Sequence, residues 1–95
     1  MTTYVWKTIR GIVIPVTWGE DGEVISIAID TYQEERYWVA ENVMGRQLRD
    51  LLRKRVWVEG KVKISKNRPL VIEVSDYKPD EPLIQEEPFW VQEPT

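Results

Sequence analysis

Apolar side chains fall at every second position along most of this chain and at helical spacing along only one short stretch. Ile25, Ile27 and Ile29 alternate with Val24, Ser26, Ala28 and Asp30. Val56, Val58, Val62 and Ile64 alternate with Trp57, Glu59, Lys61 and Lys63, and Leu70, Ile72 and Val74 repeat the pattern further on. A period of two puts one face of a strand indoors and the other in water. Only Met44, Leu48, Leu51 and Leu52 make a helical stripe, at i, i+4, i+7 and i+8, after Asn42 as a candidate N-cap. The chain is therefore read as a mainly β fold with one short helix.

Turn chemistry divides the strands. The first runs from about Trp6 to Trp18, with Gly11 and Pro15 marking a bend or bulge. Asp21-Gly22 signals a two-residue hairpin into Val24–Thr31. A tight loop at Tyr32-Gln33-Glu34 leads to a third strand, about 35–41. Pairing Ile29 with Tyr37 and Ile27 with Val39 keeps the large apolar groups on one face. It also sets Asp30 opposite Arg36 and Ala28 opposite Trp38. That register turns Trp38 outward among Ala28, Ser26 and Ala40, all too small to cover it. The helix is expected to end near Arg53-Lys54, where cations suit its negative pole. A fourth strand spans 56–65, with Gly60 at an inward position that a bulge or a closely approaching strand would require. The turn Lys66-Asn67-Arg68-Pro69 leads to a fifth strand over 70–77. A break near Lys78-Pro79 separates a domain, 1–78, from an extended acidic tail, 79–95, whose four prolines favour open backbone.

Composition narrows the chemistry. Ninety-five residues suffice for one domain, and 42 % hydrophobic with 31 % charged residues is a globular mix. Cysteine and histidine are both absent. Disulfides, thiolate and imidazole metal sites, cysteine nucleophiles and histidine acid–base catalysis are thereby excluded. The serines have no evident base, and Glu20-Asp21-Gly22-Glu23 lacks calcium-loop spacing. The expectation is a protein that is not an enzyme and uses no cofactor or metal. With no signal sequence or membrane-length apolar run visible, a cytoplasmic location is expected.

The net charge of −3 is strongly segregated. Residues 1–45 carry three cations against seven anions, 46–68 nine against two, and 69–95 one against seven. A basic block between acidic ones can attract a polyanion locally, while neighbouring carboxylates could equally balance it.

Five strands with the helix between the third and fourth resemble an oligonucleotide/oligosaccharide-binding (OB) fold barrel. The likeness rests on Arg10-Gly11-Ile12-Val13 in a kinked first strand, Leu48-x-x-Leu51-Leu52 in the bridging helix and Val56-x-Val58-x-Gly60-x-Val62 leading the last hairpin. It covers about residues 6–78 and looks most like small stand-alone bacterial OB domains. An SH3-type barrel, the competing architecture, would lack the amphipathic helix. The resemblance implies a ligand face on strands two and three, here Ser26, Ala28, Asp30, Arg36, Trp38 and Ala40. Trp38 would stack on bases, and Arg36, Lys61, Lys63, Lys66 and Arg68 would meet phosphates. Trp18 and Trp57 are weaker candidates, and the acidic first loop would repel phosphate.

Two functional expectations follow. One is weak, salt-dependent binding of single-stranded nucleic acid; the other is a protein-interaction module, with a peptide, its own tail or a homodimer as partner and no role for nucleic acid. The tail bears on the second. Phe89, Trp90 and Val91 form an apolar triplet in acidic surroundings, similar in kind to the partner-recruiting tails of bacterial single-stranded DNA-binding proteins.

Overall fold

A computed structural model describes residues 2–80 of the chain. Five strands and one short helical segment occur in the order β1 (Thr2–Trp18), β2 (Val24–Thr31), β3 (Arg36–Val39), α1 (Val43–Gln47) continued by a 3-10 turn (Leu48–Leu51), β4 (Arg55–Ser65) and β5 (Leu70–Pro79). The strands join in the order β1-β2-β3-β5-β4, and β4 returns to β1, closing the sheet on itself. All neighbours are antiparallel except β3 and β5, which run parallel with Trp38 beside Val71. Among the described residues no helix is long and apolar enough to cross a membrane.

Closure depends on β1 serving two partners. Thr2–Ile12 pair with β4 and Gly11–Trp18 with β2, so the strand changes partner around Gly11, within the bend expected there. Near its far end the ladder slips twice, leaving Val16 unpaired on β1 and Ile25 unpaired on β2. The second slip corrects the expected inward face of β2. Ile27 and Ile29 are buried, but Ile25 is the extra residue of a bulge and remains 47 % exposed. The Gly60 expectation holds in both its forms. The β4–β5 ladder shifts between Glu59 and Gly60, and a Cβ on Gly60 would collide with the Glu73 carbonyl.

The β2–β3 register is the expected one: Ala28 with Trp38, Ile29 with Tyr37 and Asp30 with Arg36. The pairing ends there, and β3 stops at Val39, short of the expected 41. β1 begins at Thr2 instead of Trp6, because pairing with β4 continues to Ser65. β5 runs through Pro79, past the expected break, and the Asp80 amide still donates to the Arg55 carbonyl at 2.9 Å. The first turn also differs from expectation. Gly19 and Glu23 close a loop with three residues between them, and Gly22, at φ 87°, takes the left-handed position that a residue without Cβ tolerates.

Every strand contributes to the interior: Ile9 and Val13, Ile27 and Ile29, Tyr37, Val56, Val58 and Val62, and Ile72 and Val74, with Leu48 from the helical segment. Leu48 is fully buried, while Met44, Leu51 and Leu52 pack against the cluster only partly covered. Asn42 is the N-cap as expected, its side chain accepting from the Gly45 amide at 2.7 Å. The helix does not continue to Arg53-Lys54. The Arg53 amide donates instead to the Val13 carbonyl at 2.7 Å, and Val13 donates to Lys54 at 3.2 Å. These bonds join the chain to β1 and pull it out of helical geometry, with Arg53 at φ 66°.

Candidate functional site

The sheet's outer surface is built by alternation, so its chemistry can be followed along ladder rows. One row carries Tyr4, Lys63, Val71, Trp38, Ala28 and Ile14 across β1, β4, β5, β3, β2 and the other half of β1. The adjoining row carries Trp6, Lys61 and Glu73. Tyr4 and Trp6 are each 58 % exposed. The Lys61 ammonium lies 5.5 Å from the Tyr4 ring centre, within cation–π range. The Trp6 indole N–H donates to Glu59 at 2.9 Å, which fixes the ring's direction on the surface. Tyr4, Ala40, Lys61, Lys63, Val71 and Glu73 line one shallow groove.

Trp38 faces outward, as the register requires, but it is half-buried and not bare. The reason lies in its neighbours. Ala28, on the same face, is itself fully buried between its ladder partners Ile14 and Trp38, so the indole is part of a small outer apolar layer. Ser26 is half-buried and shares a hydroxyl hydrogen bond with Thr17. Arg36 grips Asp30 through two bonds, at 2.7 and 3.2 Å. That hydrogen-bonded pairing raises the guanidinium pKa above its ordinary value. The β2–β3 face is consequently almost neutral, and its one large aromatic is partly covered.

The basic block divides into two parts. Arg46 and Arg49 both reach Glu41, at 3.0 and 3.4 Å, and Arg49 also donates to the Ile25 carbonyl at 2.6 Å. Among the described residues no ion pair forms at Lys61, Lys63, Lys66 or Arg68. All four are exposed. Lys61 and Lys63 stand on β4 beside Tyr4 and Trp6, and Lys66 and Arg68 stand in the β4–β5 turn beyond them. The acidic loop Glu20–Glu23 lies past the opposite end of β1, across the bend from Tyr4 and Trp6.

The exposed cations singled out in the sequence thus stand beside two exposed aromatics, Tyr4 and Trp6, that the sequence reading left out. Period two extends back through Trp6, Tyr4 and Thr2, a pattern that could have revealed them. Trp57 is half-buried under the Lys78 ammonium, 4.9 Å from its ring centre, and Trp18 is 57 % exposed beside the acidic loop. Phe89, Trp90 and Val91 lie outside the described residues.

A larger cleft opens between β1 and the β2–β3 loop, lined by Lys7, Ile9, Arg10, Tyr32, Glu35 and Tyr37 among others. The Tyr37 hydroxyl donates to Glu35 at 2.9 Å and accepts from Lys7 at 3.4 Å. Burial, then the Glu35 bond, raises its pKa above the usual phenol value, against a lowering influence of Lys7. Arg10, on the rim, is bound to Asp80 at 3.0 Å. Compared with models of known families, with curated proteins and with solved structures, the chain matches none.

Proposed function

We propose that this chain is a non-enzymatic, OB-like binding module that takes up single-stranded nucleic acid on the outer face of β1 and β4. The strand order β1-β2-β3-β5-β4, the parallel β3–β5 pair and a helix between β3 and β4 support the OB-like reading. The observation that carries the functional reading is the alternation of exposed Tyr4 and Trp6 with Lys63 and Lys61 in adjacent ladder rows. Flat rings offer any base a stacking surface worth about 1–3 kcal/mol each, and ammonium groups beside them meet the backbone phosphates. Trp38 borders this face through Val71, and Lys66 and Arg68 extend its charge into the turn. Arg36 is given a supporting role only, because Asp30 already occupies its guanidinium.

A second reading, a polypeptide ligand, draws on Glu59 and Glu73 beside the same lysines, which temper their field. Salt separates the two. Binding of single strands should weaken with a log–log slope near −0.7 per phosphate contact, so Lys61→Ala/Lys63→Ala should flatten the slope by about 1.4. Tryptophan fluorescence on adding oligo-dT should quench at ~20 mM salt and recover at high salt, with the effect reduced in Trp6→Ala. Absence of any quenching at the low-salt end rejects the nucleic-acid reading.

A further inference from the structure

Of the strands, β1 leaves the longest run of backbone open. Over Thr2–Arg10 it pairs with β4 on one side, and β2 takes up its other side only from Gly11 onward. In an antiparallel ladder every second residue aims its N–H and C=O away from the partner strand. About four residues of this stretch therefore present both groups outward. Shorter open stretches elsewhere in the sheet have some of their carbonyls taken up. The Ile25 carbonyl, at the bulge of β2, receives Arg49 at 2.6 Å. On β5 the Ile72 carbonyl receives the Ala40 amide at 2.9 Å, and the Val74 carbonyl receives Asn42 at 3.2 Å. Among the described residues nothing does this for Thr2–Arg10.

Edges that stay monomeric are normally blunted by proline, bulges or inward charges. Thr2-Thr3-Tyr4-Val5-Trp6-Lys7-Thr8 contains no proline, its ladder with β4 is unbroken, and most of its residues favour extended backbone. We infer that this edge is a self-association site, at which a second copy adds its own β1 antiparallel about a two-fold axis at Val5. Residue i then meets residue 10 − i: Val5 meets its own copy, Tyr4 meets the other copy's Trp6, and Thr3 meets the other copy's Lys7.

The sequence of the edge is what selects a second copy as occupant. Isologous pairing demands a self-complementary strand. About Val5, all four aromatics fall into two cross-strand aromatic pairs on the outer face, and each ammonium faces a threonine. Moving the axis to Tyr4 sets Trp6 against Thr2, and moving it to Lys7 sets two ammonium groups against each other. Seven residues give a ladder about 23 Å long. An interface of one strand pair lies at the small end of specific contacts, so the dimer forms only at raised concentration. The pairing does not depend on what the outer face binds.

Sedimentation of the full chain without nucleic acid tests it. The wild type should pass from monomer to dimer between about 5 and 500 µM, the range of a weak contact. Tyr4→Lys/Trp6→Lys and Tyr4→Glu/Trp6→Glu should each remain monomeric, because like charges oppose across the axis. An equimolar mixture should dimerise again, since each introduced lysine then faces an introduced glutamate. Should either variant fail to fold by circular dichroism, hydrogen exchange of the wild type decides: alternate amides within Thr2–Thr8 should gain protection as concentration rises. A wild type that stays monomeric throughout overturns the inference, and one whose Thr2–Thr8 amides are already protected assigns the edge to another segment of the same chain. Dimers that survive both double variants, or variants that do not recombine, also overturn it.

Discussion

The closed sheet has two unlike ends. Beneath α1 and its 3-10 continuation, Leu48 is fully buried against the core, Asn42 binds both the helix and β5, and Arg49 secures the bulge of β2. At the other end, between β1 and the β2–β3 loop, the Tyr37 phenol stands between the core and an open cleft, its hydroxyl tied, among the described residues, to Glu35 and Lys7. One end is sealed by apolar volume and satisfied backbone, the other by a polar plug whose bonds are partly exchangeable with water. The contrast shows that a small closed sheet needs one firm stopper, which leaves its other openings free to carry exposed chemistry.

The comparison breaks most visibly at the firm end. Leu48→Ala should cost about 2–5 kcal/mol in urea unfolding, since the site is enclosed on all sides and collapses poorly. Asn42→Ala removes the helix cap and the bond to Val74 together, and should cost about 1–2 kcal/mol by the same measurement. At the open end Tyr37→Phe keeps the ring and deletes the hydroxyl, for a smaller loss of about 0.5–1.5 kcal/mol. Glu34, held at φ 64° in the loop beside this cleft, should respond in the opposite direction: Glu34→Gly relieves the left-handed strain and should gain roughly 0.5–1 kcal/mol.

Tyr37 also gives the open end a pH signature. Its folded pKa lies above the ordinary tyrosine value, so the folded state holds the proton more tightly than the unfolded chain does. The resulting stabilisation is complete below the unfolded pKa of about 10 and is lost as pH rises through the folded value. Melting temperature should therefore fall more steeply above pH 10 in the wild type than in Tyr37→Phe. Equal slopes in the two proteins would remove the phenol from the account.

The same asymmetry governs what could be read from the sequence. The β2–β3 register was legible because one face is uniformly apolar, and a slip by one residue would expose Ile29 and Tyr37. Gly60 was legible because a residue without a side chain at an inward position needs a backbone close by. Ile25 was not, because bulges at Val16 and Ile25 change the parity of alternation, and the partner strand sets them. The end of the helix was decided by Val13, some forty residues earlier, whose backbone offered Arg53 and Lys54 better partners than another helical turn. At the candidate site the lysines stood out as a block, whereas Tyr4 and Trp6 carry the period of two back across the expected start of β1, and the pairing with β4 up to Thr2 makes that continuation plain. Trp38 pointed where the register required, yet alternation says nothing about the lateral neighbours Ala28 and Val71 that the adjoining strands set beside it.

The pairing of Thr2 with Ser65 also matters while the chain is being made. Thr2–Arg10 leave the ribosome without the strand that will hold them, and β4 is translated only after some fifty further residues. At ordinary elongation rates of about 5–20 residues per second, that leaves this half of β1 unpartnered for several seconds. During that interval the apolar Tyr4, Val5 and Trp6 stand without the β4 strand that later lies beside them.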